Sequence, residues 1–278
     1  MNSILNIKNL SVRFGGLVAI ESLSFEVREG EVLALIGPNG AGKTSAFNAI
    51  TGYLAPSAGE IVFGGVRLNG LKPHRIAELG LVRTFQKTSV FGGRSALENI
   101  LIGLHLRSTQ QPLAILLGLP SVAREEKRLE ADAHEILAFA GLSARAHDLG
   151  SALPYGEQRL LEVAVALAAK PKLLLLDEPV SGMNPVETES FMAKLVEIRA
   201  LGITILLVEH DMKMVMSVSD RVVCLSQGSV IASGTPAQIQ RDPEVIRAYL
   251  GESYARVQGA HGRAQGAHGR AQGTHGRA

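Results

Sequence analysis

The sequence predicts an α/β fold with a mainly parallel central sheet and a helical subdomain inserted into it. Three observations carry this expectation. Val32–Ile36, Leu173–Leu176 and Ile203–Val208 are short unbroken apolar runs, the pattern of strands buried on both faces. The first two of these runs lead into helical patterns, from about Ser45 and over Val186–Leu201. From about Lys87 to Gly156 the strand signals vanish and helical spacing takes over.

Taken in order, Leu5, Ile7, Leu10, Val12 and Phe14, and then Leu23, Phe25 and Val27, alternate with period two and predict two half-buried strands. Gly30-Glu31 makes a turn into Val32–Ile36. Gly37–Thr44 is a glycine-rich loop opening into a helix, and Gly59–Phe63 and Leu81–Gln86 read as further strands. Within Arg124–Ala140, helical spacing puts Leu129, Ala133, Ile136, Leu137 and Ala140 on one face. After Ile203–Val208 a final pair of strands is expected near Arg221–Leu225 and Ser229–Ala232. Thr235-Pro236 and Asp242-Pro243 each place a capping residue before a proline at the first helical position, predicting two short closing helices, the second ending at Leu250-Gly251.

The tail differs from the rest. Gln258–Ala264 (QGAHGRA) recurs as Gln265–Ala271 and, with one change, as Gln272–Ala278. It lacks large apolar side chains, so it cannot bury enough surface to offset its ordering entropy and is expected to be disordered. His261, His268 and His275 recur every seventh residue, which leaves metal or nucleic-acid binding open as the other reading of this tail.

The formal net charge is +2, too weak to argue for a nucleic-acid or membrane-surface partner. The tail's three arginines account for more than that charge, leaving the body at −1. A single cysteine, Cys224, allows no internal disulfide and reads as a small buried hydrophobe on a strand. The N-terminal MNSILNIKNL has none of the parts of a signal peptide. Runs such as Leu113–Leu119 fall far short of the ~20 apolar residues that span a bilayer. Any membrane role is therefore expected to come through partners.

Gly37-Pro38-Asn39-Gly40-Ala41-Gly42-Lys43-Thr44 satisfies G-x-x-x-x-G-K-[ST] between a strand and a helix, the context that marks a phosphate loop. The glycines let backbone N–H groups converge on phosphate oxygens, and the helix N-terminus adds partial positive charge. Lys43 would reach the β- and γ-phosphates and Thr44 would offer its hydroxyl to Mg²⁺. Downstream, Leu173–Leu176 ends in Asp177-Glu178. Paired carboxylates closing an apolar strand are costly unless the charges have work to do. Asp177 suits a Mg²⁺ partner, and Glu178 is placed to act as general base on an attacking water.

Leu153-Pro154-Tyr155-Gly156-Glu157-Gln158, about twenty residues before Asp177, resembles the signature motif of the ABC ATPase family, usually LSGGQ. Other elements of that family stand in the same order: Phe14 as the aromatic that stacks on adenine, Gln86 as the Q-loop glutamine, Ser181-Gly182-Met183-Asn184 as the D-loop and His210 as the switch histidine. Taken singly, Phe14 could equally be core, Gln86 a solvated polar residue and His210 a satisfied histidine at a strand end. Glu209–Met216 with Ser219-Asp220-Arg221, and the ending Asp242–Glu252, look like the longer, G-type ATPase of branched-chain amino acid importers.

The resemblance covers residues 1–252 and implies a P-loop ABC ATPase fold with a mainly parallel central sheet, an N-terminal antiparallel β subdomain and an inserted helical subdomain at about 87–160. The repeat tail, 253–278, stands outside it. It implies ATP hydrolysis with Mg²⁺. Phe14, residues 37–45 through Ser45, and the Tyr155, Gly156 and Glu157 of the signature would contact nucleotide. Thr44, Gln86 and Asp177 would serve the metal, and Lys43, Gln86, Glu178 and His210 the chemistry. Two subunits would sandwich two ATP molecules, each site joining one chain's phosphate loop, Asp177, Glu178 and His210 to the other chain's signature. The implied partners are a second, related ATPase, two transmembrane permease subunits and a periplasmic binding protein, with the chain peripheral on the cytoplasmic face of the bacterial inner membrane and no nucleic acid. Cargo is expected to be a branched-chain or related small amino acid, with urea, amides or other amino acids as the alternative.

Two other readings are weaker. An ABC ATPase of DNA repair would carry long coiled-coil insertions, and one of translation two cassettes with a basic linker. A non-hydrolysing regulator would not need intact Lys43, Asp177, Glu178 and His210. One departure from the family stands out: Pro154 occupies the position of the signature serine and supplies neither hydroxyl nor N–H. The ATP site that this signature completes is expected to be the weaker of the two. Asn184 likewise replaces the common D-loop aspartate.

Overall fold

The computed structural model describes residues 2–84, 90–105 and 120–249. Among the described residues ten strands form two sheets. The alternating N-terminal segments become β1 (Ser3–Phe14) and β2 (Leu17–Arg28), paired antiparallel. With β4 (Ala58–Phe63) and β5 (Val66–Arg67) they make a four-stranded antiparallel sheet in the order β2-β1-β4-β5.

The second sheet has six strands. β3 (Val32–Ile36), β6 (Leu81–Arg83), β7 (Leu173–Asp177), β8 (Thr204–Val208), β9 (Arg221–Ser226) and β10 (Ser229–Gly234) lie in the order β10-β9-β3-β8-β7-β6. Its pairings are parallel except for the β9–β10 hairpin. Every residue of β3, β7 and β8 is buried, as their unbroken apolar runs predict. β6 is shorter than the expected Leu81–Gln86: it ends at Arg83, and Thr84 still donates its N–H to the Leu175 carbonyl at 3.0 Å. Phe85 and Gln86 lie outside the described residues.

Register within the parallel sheet decides where the site can be. Leu35 of β3 stands opposite Val208 of β8, and Val208 opposite Asp177 of β7. The three central strands therefore end level with one another, and the segments that continue from them, starting at Gly37, Glu178 and Glu209, emerge side by side. The carboxyl end of such a sheet is where α/β proteins bind ligands.

The helices follow their periodicity. α1 (Lys43–Ile50) sends Phe47 and Ile50, and α2 (Pro73–Glu78) sends Ile76, into the core shared by the two sheets. α3 (Ala96–His105), α4 (Pro120–Ala140) and α5 (Tyr155–Ala168) form the helical region. α6 (Pro185–Ala200), α7 (Met212–Val218) and α8 (Pro236–Ile239) follow strands of the parallel sheet. Two cap signals act as the sequence suggests. Thr235 and Gln238 form a capping box, and Asp242 accepts from the N–H groups of Glu244 and Val245 at the start of helical residues 243–249. α6 has a capping box of its own, Asn184 with Glu187, of a kind worth about 1 kcal/mol.

Burial divides by face. Leu33 and Leu35 of β3 join Leu5, Ile7, Leu10 and Phe47 between the two sheets. On the opposite face of the parallel sheet, Leu174, Leu176, Ile205 and Leu207 pack with Phe191, Leu195 and Ile198 of α6. The helical region has its own core, in which Leu129, Ala133, Leu137 and Ala140 meet Ile100, Leu104 and Leu161, while Ile136 is only partly buried. Cys224 is fully buried, and burial followed by the Asp242 carboxylate pushes its thiol up to about 11. Among the described residues no helix is long and apolar enough to cross a membrane.

Candidate nucleotide site

The loop after β3 turns back on itself before α1 begins. Gly42 at the helix start has φ +101°, and a Cβ there would meet the Ala19 carbonyl at 2.7 Å. Only glycine serves both the conformation and the close approach. Lys43 is buried, and its ammonium donates to the carbonyls of Gly37 at 2.7 Å and Pro38 at 3.0 Å. The Gly37 N–H donates to the Tyr249 hydroxyl at 3.0 Å, fastening the start of the loop to the C-terminal helix.

One open pocket gathers Asn39, Gly40, Ala41, Gly42, Lys43, Thr44 and Ser45 with Glu178, His210, Phe14 and the Leu17–Ala19 edge of β2. Phe14 is 50% exposed, which rules out the core alternative and leaves an aromatic face at the rim. A Cβ at Gly40 would meet nothing within 4 Å, so the loop is open on this side. A buried cation, a helix N-terminus and an aromatic rim suit a nucleotide: anionic phosphates over α1 and a base against Phe14.

Glu178 and His210 meet across the ends of β7 and β8, with His210 Nε2 2.7 Å from Glu178 Oε1. This contact joins the histidine to the glutamate at the carboxyl end of the sheet. Glu178 sits at φ +49°, a strained left-handed conformation for a residue with a side chain. The turn it starts is clamped. Its N–H donates to the Val208 carbonyl at 2.8 Å, and the Val180 N–H to Glu209 Oε1 at 3.0 Å. Burial pushes the Glu209 carboxyl above its ordinary range, against the opposing pull of the Val180, His210 and Asp211 N–H groups.

Asp177 is buried and paired with Arg83, NH2 to Oδ2 at 2.7 Å. Arg83 also donates to Asn48 Oδ1 at 2.7 Å and Thr51 Oγ1 at 3.3 Å, and lies over the Phe47 ring. The sequence reading missed this arginine, although a charge after Leu81-Val82 in a buried strand signals a partner. It missed Glu209 too, although a charge directly after the buried run Thr204–Val208 carries the same signal.

The signature segment does not line this pocket. Pro154 is the N-cap of α5 and makes no side-chain cap. Tyr155 turns toward Ser181 of its own chain, donating to its carbonyl at 2.9 Å. A Cβ at Gly156 would meet the Glu187 carboxylate at 2.9 Å, and Glu157 lies 3.4 Å from Arg145. Gln86 falls outside the described residues. Thr44 and Asp177 are hard oxygen donors fit for Mg²⁺, which binds through one or two protein oxygens together with waters and nucleotide phosphates. Among the described residues no group of three or more His, Cys, Asp or Glu could hold a metal ion by itself.

A family model described as ABC transporter matches residues 20–181, and one described as branched-chain amino acid ATP-binding cassette transporter matches 229–255. The high-affinity branched-chain amino acid transport ATP-binding protein BraF of Pseudomonas aeruginosa is 43% identical over 251 residues, 90% of this chain and 98% of that one. LivG of Escherichia coli K12, of the same description, is 42% identical over the same shares. A lipopolysaccharide export system ATP-binding protein of Haemophilus influenzae is 32% identical over 91% of this chain and 99% of its own. Among solved structures, the ADP conformation of an ATP-binding cassette of an ABC transporter has a TM-score of 0.79 at 32% identity, over 90% of this chain and all of that one.

Proposed function

The chain belongs to the ABC transporter ATP-binding family, and from that premise we propose that it powers a bacterial importer of branched-chain or closely related small amino acids. It is an ATP-binding, ATP-hydrolysing transporter subunit. The observation that carries the reading is the convergence of Lys43, Thr44, Glu178 and His210 in one open pocket at the carboxyl end of the sheet. The cargo follows from the 42–43% identity to branched-chain amino acid transport proteins, against 32% to the export protein.

In this reading the phosphates of ATP lie over the N-terminus of α1, with Lys43 at the β- and γ-phosphates and the base on Phe14. Gly37–Ser45 supplies the backbone cradle. Glu178 accepts a proton from the attacking water, and His210, hydrogen-bonded to it, orients the carboxylate. Thr44 and Asp177, with Gln86, would hold Mg²⁺, which neutralises developing phosphate charge when bound.

Gly156, Glu157 and the backbone of Tyr155 stand away from their own phosphate loop, which supports a head-to-tail sandwich in which they face a partner's nucleotide. The partner is a second, related ATPase. Two permease subunits and, through them, a periplasmic binding protein complete the assembly, with the chain peripheral on the cytoplasmic face of the inner membrane. The ATPase domain runs over 1–252, its helical subdomain at about 87–160 receiving the permease, and the repeat tail 253–278 lies outside the described residues.

The test is a mild-detergent pull-down of the tagged Glu178→Gln chain from its native cells with ATP and Mg²⁺. An amide cannot accept the water's proton, so nucleotide should stay bound while turnover falls by roughly 10²–10⁴. Two integral membrane proteins and a second ATPase should be recovered. Recovery of ribosomal or DNA-associated proteins without a permease would overturn the importer and leave the ATPase standing.

A further inference from the structure

The tyrosine in the signature segment has a position of its own. The wider family's LSGGQ has glycine where this chain has Tyr155. Here the side chain reaches within its own chain to the turn that carries Glu178. Its hydroxyl donates to the Ser181 carbonyl at 2.9 Å and accepts from Arg159 Nε at 3.1 Å. The Arg159 guanidinium lies over the Tyr155 ring, 5.4 Å from its centroid, and is fixed by a buried ion pair with Glu162 at 2.8 Å. The accepted bond from arginine leaves the hydroxyl proton aimed at Ser181, so the rotor is set rather than free.

The receiving end is equally specific. Ser181 donates its N–H to the Glu178 carbonyl at 3.2 Å, closing the turn begun by the strained Glu178. Gly182 follows at φ +86°, and a Cβ there would lie 3.3 Å from Tyr155 Cε1. The ring thus packs against the turn while its hydroxyl bonds to it. On the other side, the same turn is held by Val208 and Glu209 at the end of β8. Tyr155 holds it from α5.

We propose that Tyr155 is a positioning residue that couples the signature segment to the catalytic turn of the same chain. The inference rests on the reading that the signature faces a partner's nucleotide and that Glu178 is the base. Under it, movement of the N-terminus of α5 toward one ATP is passed through the tyrosine hydroxyl and Ser181 to the glutamate serving the other. The two sites of the sandwich then respond together through a contact inside one chain.

The test is Tyr155→Phe in the full-length chain, which keeps the ring and removes only the hydroxyl. Three readouts are needed: affinity for a fluorescent trinitrophenyl-ATP with Mg²⁺, steady-state ATP hydrolysis, and amide hydrogen exchange by mass spectrometry. The expected result is affinity within twofold of the parent, kcat lower by about fivefold with KM unchanged, the scale of one hydrogen bond. Exchange over residues 178–184 should rise by a similar factor, with the melting temperature held to within a degree or two. Unchanged exchange in that segment overturns the proposal. So does exchange raised throughout the chain with a large fall in melting temperature, because that assigns the tyrosine to general stability. Exchange is read without turnover, so failure of the Glu178→Gln test would not be confused with failure of this coupling.

Discussion

Replacing Arg83 with methionine should strip the Asp177 carboxylate of its buried partner. Both side chains are 6% exposed and 2.7 Å apart, so solvent can do little to screen the charge that remains. Methionine keeps an apolar stem and removes the guanidinium, with its bonds to Asp177, Asn48 and Thr51 and its place over the Phe47 ring. Removing one member of a buried pair costs about 3–5 kcal/mol, because the other charge is left uncompensated. In a chain of this size that corresponds to a fall of roughly 6–20 °C in melting temperature. The assay is calorimetry of the nucleotide-free chain beside the double variant Arg83→Met with Asp177→Asn. Neutralising the stranded carboxylate should recover at least about half of the loss. A single-variant loss below about 1 kcal/mol would overturn this expectation, since it would mean that water or a rearranged neighbour already solvates Asp177. A double variant no better than the single would refute it as well, by moving the cost from charge isolation to lost packing.

Two further outcomes can be checked directly. Pro154→Ser should raise ATP turnover of the assembled ATPase, and unchanged turnover would sink the idea that this signature weakens its site. The serine cap adds about 0.5–2 kcal/mol to α5 and the lost proline removes about 0.4–1, so the melting temperature should rise by no more than a few degrees. Cys224, buried and with its thiol pushed up to about 11, should resist iodoacetamide at pH 8 in the folded chain and react fully in denaturant, and rapid labelling of the native protein would contradict that burial.

Much of the architecture was legible because burial on two faces leaves an unbroken apolar run. Val32–Ile36 and Leu173–Leu176 could be placed as central parallel strands from that signal, and β8 lies one residue inside its expected Ile203–Val208. Thr235 and Asp242 announced helix starts through their capping oxygens. α2 was missed because Lys72 precedes it with no capping side chain, and only Pro73 marks its first turn. β5 was missed for a different reason: two exposed residues, Val66 and Arg67, have no periodicity to read. The order β10-β9-β3-β8-β7-β6 is long-range pairing, which local pattern does not encode. In the site, the loop Gly37–Thr44 and the Asp177-Glu178 pair were readable as motifs. The positive φ of Glu178, the Arg83 bond to Asp177 and the Glu209 clamp are consequences of register between strands far apart in sequence.

That division bears on how the signature segment should be understood. As a motif, Leu153–Gln158 reads as a departure at Pro154, where the wider family has serine, and also differs from LSGGQ in carrying Tyr155 for glycine. In the fold, the two replacements act on different partners. Pro154 ends the chain's approach to α5 without offering a capping oxygen, so whatever the α5 N–H groups bind must come from outside the side chain at that position. Tyr155 turns inward, where its hydroxyl bridges Arg159 and Ser181. Under the proposed sandwich, a segment that gives up a contact toward its neighbour's nucleotide while gaining one toward the Glu178 turn of its own chain would shift from holding phosphate to reporting on it. The prediction that separates these roles is the pair of variants taken together. If Pro154→Ser raises turnover and Tyr155→Phe lowers it without altering nucleotide affinity, the two positions are independent and their effects should multiply in the double variant. If the serine abolishes the cost of the phenylalanine, both act through the same movement of the α5 terminus, and the division between binding and coupling within this segment fails.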